Sequence, residues 1–169
     1  VRIFHGVESD ILQDGSLDYP DDILTELDFV VASIHSRFKM DAASMTARLT
    51  TALSHPHVTF WGHPTGRLLL ARDGYNFDWD SVFAASKKSG VAFEVNAHPQ
   101  RLDLDWRMGE RVEEHNIPVC INPDAHTVAG LQDTRWGELM VEKAMIPSHL
   151  IVNLKTTDEV EEWLKKRKK

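Results

Sequence analysis

The sequence predicts an α/β fold, a partial TIM-like (β/α) barrel in which parallel strands alternate with helices. Five short apolar segments begin near positions 2, 29, 58, 91 and 117, and helical patterns lie between most of them. This alternation is typical of right-handed βα units in a parallel sheet. A usual barrel has about eight strands, so five units indicate either an open sheet or missing units.

The first half of the chain alternates strands with two capped helices. Residues 2–8 are predicted to hold a short strand that Glu8 follows, and residues 29–35 a second strand that ends in His35. A helix is expected from residue 20, where Pro occupies the first turn and acidic residues follow it. Another helix is expected over residues 41–53, with Asp41 as its N-cap.

The second half continues the alternation with three more strands. They are expected over residues 58–64, 91–97 and 117–122. Helices are predicted over residues 78–88, where Gly90 ends the helix, and over 104–116, 128–145 and 157–168. The chain is therefore interpreted as one domain over residues 1–169.

Composition excludes several classes of protein. The chain has 169 residues, 42% of them apolar, and no apolar run long enough to span a membrane. The single cysteine, Cys120, cannot form an internal disulfide, and it lies in a predicted buried strand, which favours a cytoplasmic setting. A net charge of −7 argues against binding DNA through charge alone, although another domain could deliver a nucleic acid.

Four of the predicted strands end in residues that bind metals. Asp124 and His126 follow the last strand, and residues i and i+2 of an extended segment point the same way. Glu8, His35 and His63 end the first three strands, and the carboxyl ends of parallel strands gather active-site residues. Each histidine alone is more often a core residue. Together, imidazole and carboxylate groups in this register predict a centre for Zn, Mn or Fe.

Seven segments, in order, resemble the PHP (polymerase and histidinol phosphatase) superfamily of metallo-phosphoesterases. The likeness is strongest to the C-terminal PHP domain of bacterial and archaeal family X DNA polymerases. Any one segment is weak evidence, but together they cover most of the chain. They are residues 6–8, 17–20, 29–38, 62–69, 94–97, 99–104 and 122–126.

The resemblance implies a distorted (β/α)7 barrel with up to three divalent metal ions at the mouth formed by the strand ends. Glu8 matches the bridging carboxylate, and His35 and His63 match ligands of a second metal. Asp124 matches a ligand of the first metal and His126 a ligand of a third. Related proteins also use an earlier His-x-His strand, so the resemblance implies a C-terminal fragment that lacks the first two βα units.

The expected chemistry is hydrolysis of a phosphate ester. Clustered metal ions acidify a bound water, and the resulting hydroxide attacks phosphorus without a side-chain nucleophile. Arg37, Arg67 and Arg101 lie just beyond strand ends and are expected to hold phosphate oxygens, with loop ion pairs as the alternative for Arg37 and Arg101. His98 is expected at the same mouth, with a solvated loop position as its alternative.

Three functions stay open at this point. The resemblance favours a 3′-5′ exonuclease or DNA-end processing domain for DNA repair, next to a polymerase domain on the same chain. A free-standing, histidinol-phosphatase-like enzyme for small phosphomonoesters is the second. A non-catalytic structural domain is the third, and in every case the unclosed sheet is expected to leave edges that a second copy could pair with.

Overall fold

A sheet of five parallel strands in sequential order forms the centre of the protein, which confirms the predicted fold class. Because the strands are parallel, their carboxyl ends meet at one edge of the sheet. The computed structural model describes residues 1–167, so the predicted helix end at Lys168 lies outside the described residues. The strands are β1 Gly6–Asp10, β2 Phe29–Ser33, β3 Phe60–Trp61, β4 Ala92–Asn96 and β5 Val119–Asn122.

Within residues 1–167, six α-helices surround the sheet, and two of their ends follow the caps predicted at Asp41 and Gly90. The Asp41 side chain accepts a hydrogen bond from the Ser44 amide at 2.9 Å, and Gly90 ends another helix with φ of 74°. Of the helices that the structure describes, none is both long and apolar enough to cross a membrane. They are α1 Asp21–Glu26, α2 Ala42–Leu53, α3 Trp79–Ser89, α4 Gly109–His115, α5 Thr134–Lys143 and α6 Thr157–Arg167.

Two predicted helices start later than the sequence pattern suggests. Trp106–Met108 forms a 3₁₀ turn before α4, because the Asp105 side chain accepts the Arg107 amide at 3.0 Å and caps the chain there. Another 3₁₀ turn, Ala129–Asp133, precedes α5. Short 3₁₀ turns of this kind are frequent at helix ends.

Strand β1 also begins later than predicted. The chain enters β1 only at Gly6, after the His5 amide donates to the Asp28 carboxylate at 2.7 Å. A Cβ at Gly6 would lie 2.4 Å from the Phe29 ring, so glycine permits this close pairing. The prediction that Glu8 follows the strand is therefore wrong: Glu8 lies at the centre of β1, opposite Val31.

The core lies between the sheet and the helices. Trp61 is fully buried and packs edge-on against Phe93, with ring centroids 5.0 Å apart. The opposite face lines a cavity of about 250 Å³ together with residues of α6. Arg167 anchors α6, because its guanidinium donates to the carbonyl oxygens of Val58 at 2.6 Å and Ser89 at 2.9 Å.

Candidate metal centre

Three of the predicted ligands converge: Glu8 from the middle of β1, and His35 and His63 from just beyond the carboxyl ends of β2 and β3. His63 Nε2 lies 3.2 Å from Glu8 Oε1, and His35 Nε2 lies 3.5 Å from the same oxygen. The two Nε2 atoms are 3.1 Å apart. One ligand atom from each of the three residues therefore lies within 4.8 Å of the others. We call this group the Glu8–His35–His63 cluster.

Local backbone structure places each ligand at this point. His35 comes two residues after β2 ends, and His63 two residues after β3 ends. A Cβ at Gly62 would lie 2.2 Å from Ser33 Oγ, so only glycine lets the chain pass so close to β2. His63 then adopts a positive φ of 27°, which turns the chain out of the strand and its ring toward Glu8.

A second carboxylate orients the His35 ring. Asp10 Oδ1 is hydrogen-bonded to His35 Nδ1, so the Nε2 atom of that ring faces Glu8 and His63. A histidine that binds a metal usually donates its other ring N–H to a carboxylate in this way. The sequence analysis missed Asp10, although its position two residues after Glu8 puts both side chains on one face of β1.

The charges within the cluster favour a cation there. Hydrogen bonds from His35 and then His63 hold the pKa of Glu8 well below its usual range. The hydrogen bond to Glu8, supported by the one to Asp10, raises the pKa of His35 to about 9. At neutral pH, a proton on His35 therefore balances the carboxylates. A divalent ion that uses His35 as a ligand must displace that proton.

The ends of β4 and β5 hold a separate network centred on a buried acid. Glu94 is 5% exposed, and its Oε2 accepts the His63 amide at 2.6 Å and Asn96 Nδ2 at 3.1 Å. Its Oε1 accepts Asn122 Nδ2 at 3.0 Å. Burial raises the pKa of Glu94, and these donors oppose the rise. The sequence analysis gave Glu94 no role, although an acid inside an apolar strand was the available signal.

Asp124 joins this network, whereas His126 is exposed to solvent, with its Nδ1 3.8 Å from Asp124 Oδ1. Asp124 Oδ2 accepts Asn96 Nδ2 at 3.2 Å and lies 3.4 Å from Arg101 Nε. The His126 side chain is 83% exposed, and its Nδ1 lies 2.8 Å from the Asp124 carbonyl oxygen. The expected common direction of the pair assumed extended backbone, but Asp124 has φ of 50°. Their roles as metal ligands stay predictions.

Each of the three guanidinium nitrogens of Arg67 makes a hydrogen bond within the protein. Its Nε donates to the Arg101 carbonyl oxygen at 3.0 Å, and its Nη1 lies 2.5 Å from Asp105 Oδ2. Its Nη2 donates to the Leu102 carbonyl oxygen. These contacts fix the loop after β4 and leave Arg67 fewer free donors for a phosphate. Its predicted phosphate contact stays a prediction.

The other predicted phosphate-binding residues are less constrained. Arg37 is exposed after β2, with φ of 59°. Arg101 lies beside Asp124, and its Nη1 is buried without a hydrogen-bond partner among the described residues. His98 Nδ1 accepts the Gln100 amide at 3.2 Å within the same loop. Arg101 is therefore the arginine of this set with both a place near a predicted ligand and an unused donor.

The cluster fits a divalent cation. Two imidazole nitrogens and one carboxylate oxygen face a common point, and Asp10 fixes one of the rings. Three protein ligands that leave further positions open are typical of catalytic rather than structural zinc sites. The same donor types also suit Mn and Fe.

Several known proteins are similar in sequence to this chain over nearly its whole length. It is 41% identical over 165 residues to the DNA polymerase/3′-5′ exonuclease PolX of Bacillus subtilis (strain 168), which covers 98% of this chain and 29% of that protein. It is 27% identical over 181 residues to a probable phosphatase of Caldanaerobacter subterraneus subsp. tengcongensis, covering 68% of that protein. A probable phosphatase of Thermoanaerobacter sp. (strain X514) is 26% identical over 179 residues, with 70% covered. No family model matches the chain.

Proposed function

We propose that this chain, which is a PHP-type domain, is a divalent-metal-dependent phosphoesterase. The convergence of Glu8, His35 and His63 on one point carries the proposal. A carboxylate and two histidines at the carboxyl edge of a parallel sheet form a site open to substrate. The names of the similar proteins, which include phosphatases and an exonuclease, support the same reaction class.

The residues of the chain divide the work. Glu8, His35 and His63 would hold the cation, which supplies Lewis-acid polarisation of the phosphate and an acidified water. Asp10 holds His35 in the ring orientation that binds. Arg101, whose Nε lies 3.4 Å from Asp124 Oδ2, would hold a phosphate oxygen.

The protein's own nucleophiles do not favour a covalent mechanism. Burial raises the pKa of the Cys120 thiol to about 12, so it is un-ionised at neutral pH. Its Sγ donates to Asn122 Oδ1 at 3.3 Å rather than facing a base. Thiolate, not thiol, is the reactive form. Hydrolysis by direct attack of water is therefore the proposed route.

The finer proposal is a 3′-5′ exonuclease that trims DNA 3′ ends during repair in the cytoplasm, with Zn or Mn as cofactor. The 41% identity to PolX supports it, and the chain spans only 29% of that protein. A polymerase domain on the same full-length protein is part of this proposal. Such a domain would deliver the DNA that this acidic chain, with a net charge of −7, does not attract by itself.

Hydrolysis of small phosphomonoesters is the second candidate. The probable phosphatases align with the whole of this chain, and the chain covers 68% and 70% of two of them. Negative charge also disfavours a long polyanion more than a small ester.

The test assays the intact gene product, loaded with Mn²⁺ or Zn²⁺, on 3′-recessed DNA and on p-nitrophenyl phosphate. Metal-dependent release of mononucleotides supports the exonuclease, and preferential release of nitrophenol supports the phosphatase. Loss of either activity with EDTA and with His63→Ala is expected. No hydrolysis of either substrate by the loaded protein would leave only the non-catalytic, structural role.

A further inference from the structure

We infer that Glu94 is a positioning residue, which holds His63 and Asp124 in fixed places relative to each other through one buried carboxylate. The inference rests on the proposed function, because it concerns how the metal site is built. Glu94 makes no contact with Glu8 or His35 among the described contacts and is not part of the cluster. Its effect on metal binding would pass through the groups that it holds.

The partners of Glu94 explain why this position needs a carboxylate. All three partners are N–H donors: the His63 amide at 2.6 Å, Asn96 Nδ2 at 3.1 Å and Asn122 Nδ2 at 3.0 Å. Together they engage both oxygens, and the side chain is almost fully buried. An ionised carboxylate accepts on both oxygens, whereas a glutamine would turn an NH₂ group toward at least one donor.

The hydrogen bond from the His63 amide to Glu94 stabilises an unfavourable backbone conformation at His63. His63 has φ of 27°, a region that residues with a side chain rarely adopt. Gly62 precedes it without a side chain that could hold the turn by its own contacts. The His63 ring is only 2% exposed. The hydrogen bond from the His63 amide to Glu94 holds the peptide in this conformation, and the peptide in turn sets the position of Nε2.

The contact with Asp124 runs through two amides. Asn96 Nδ2 lies between Glu94 Oε2 at 3.1 Å and Asp124 Oδ2 at 3.2 Å, so one amide group serves both acids. Asn122, the last residue of β5, binds the other Glu94 oxygen two residues before Asp124. Glu94 therefore links the ends of β3, β4 and β5. A hydrogen-bonded network of this kind fixes geometry only while all its members are satisfied.

The experiment compares Co²⁺ and Zn²⁺ binding by the intact gene product with that of Glu94→Gln. Changes in residues that support metal ligands typically cost about 10–100-fold in metal affinity. We expect Glu94→Gln to weaken Zn²⁺ binding by about that factor and to shift the visible absorption spectrum of bound Co²⁺, which reports ligand geometry. Glu94→Asp, which keeps the charge but withdraws the oxygens, provides the second variant if Glu94→Gln does not fold.

Asn153→Ala is the matched control for loss of stability. Asn153 binds the Ile121 amide at 2.7 Å and the Ile121 carbonyl oxygen at 2.9 Å, and so supports β5 away from the cluster. This control is expected to lower the melting temperature about as much as Glu94→Gln does. Its Zn²⁺ affinity and Co²⁺ spectrum should stay those of the wild-type protein. Wild-type Zn²⁺ affinity and Co²⁺ spectrum in a folded Glu94 variant would overturn this inference and leave the proposed function standing. If the wild-type protein binds neither metal, the proposed function fails, and this inference fails with it.

Discussion

The two halves of the sheet's carboxyl edge differ in how their polar groups are satisfied. On the side of β1, β2 and β3, Glu8, His35 and His63 turn ligand atoms toward one point. At the ends of β4 and β5, Glu94 and Asp124 accept hydrogen bonds from neighbouring amides. The first arrangement brings acceptors together, and a cation stabilises it. The second satisfies its two acids through hydrogen bonds within the protein.

The difference shows that position at a strand end does not by itself define a ligand. Asp124 follows β5 at the same spacing of two residues by which His35 and His63 follow β2 and β3. The amide of Asn96 and the guanidinium of Arg101 nevertheless engage the Asp124 carboxylate. We expect the Glu8–His35–His63 half to bind the metal ion and the Glu94 half to hold the ligands in place.

Removing a ligand from the cluster should have the largest effect. We expect His63→Ala to lower metal-dependent phosphoester hydrolysis by more than about 100-fold, since supporting residues alone typically cost 10–100-fold. Steady-state rates at saturating Mn²⁺ measure this. His149→Ala, a change at an exposed histidine outside the cluster, should leave the rate unchanged. Equal losses in both variants would contradict the division.

Asp10→Asn should weaken metal binding by about 10–100-fold, because it replaces the charged acceptor that orients His35 with a neutral amide. The same change should lower the pKa of His35 from about 9, since Asp10 favours the protonated ring. NMR titration of the His35 ring in chelator-treated protein measures the shift. Asp22→Asn, at an exposed acid in α1, is the control and should change neither quantity.

Arg67, which follows β3, and Arg101, which follows β4, should differ in what their loss impairs. Arg67→Ala should cost about 2 kcal/mol of unfolding free energy, because it removes charged hydrogen bonds to Asp105 and the loop backbone. Arg101→Ala should instead raise KM for the phosphoester with little loss of stability. Urea unfolding and steady-state kinetics on both variants provide the test. A higher KM only in Arg67→Ala would reverse the assignment.

Cys120 should have the smallest effect on activity. Cys120→Ala is expected to leave hydrolysis unchanged, since no step needs the thiol. Because burial raises the thiol pKa to about 12, alkylation of the folded protein should accelerate about tenfold per pH unit from pH 8 to 11. In urea the rate should level off near pH 9. A plateau near pH 9 in the folded protein would contradict the raised pKa.

Sequence reasoning recovered those features that depend on local pattern. The alternation of strands and helices, the Asp41 cap and the end at Gly90 are all encoded within a few neighbouring residues. The prediction that Glu8, His35 and His63 meet followed from parallel pairing, which the register of β1, β2 and β3 confirms.

Features set by contacts distant in sequence were not predictable in this way. The start of β1 depends on the fit of Gly6 against the Phe29 ring, and the direction of His126 depends on the positive φ of Asp124. Arg67 follows a strand end like a phosphate ligand, but Asp105, 38 residues away, binds it. Glu94 acquires a role only once two donors distant in sequence, the His63 amide and Asn122 Nδ2, join its neighbour Asn96 around it.

The most direct test of the central claim is an anomalous diffraction map from crystals of the intact gene product grown with Zn²⁺. Data collected on both sides of the zinc absorption edge identify the ion. The account predicts a peak about 2.1 Å from Glu8 Oε1, His35 Nε2 and His63 Nε2. Zinc bound elsewhere with none at these three atoms would contradict it.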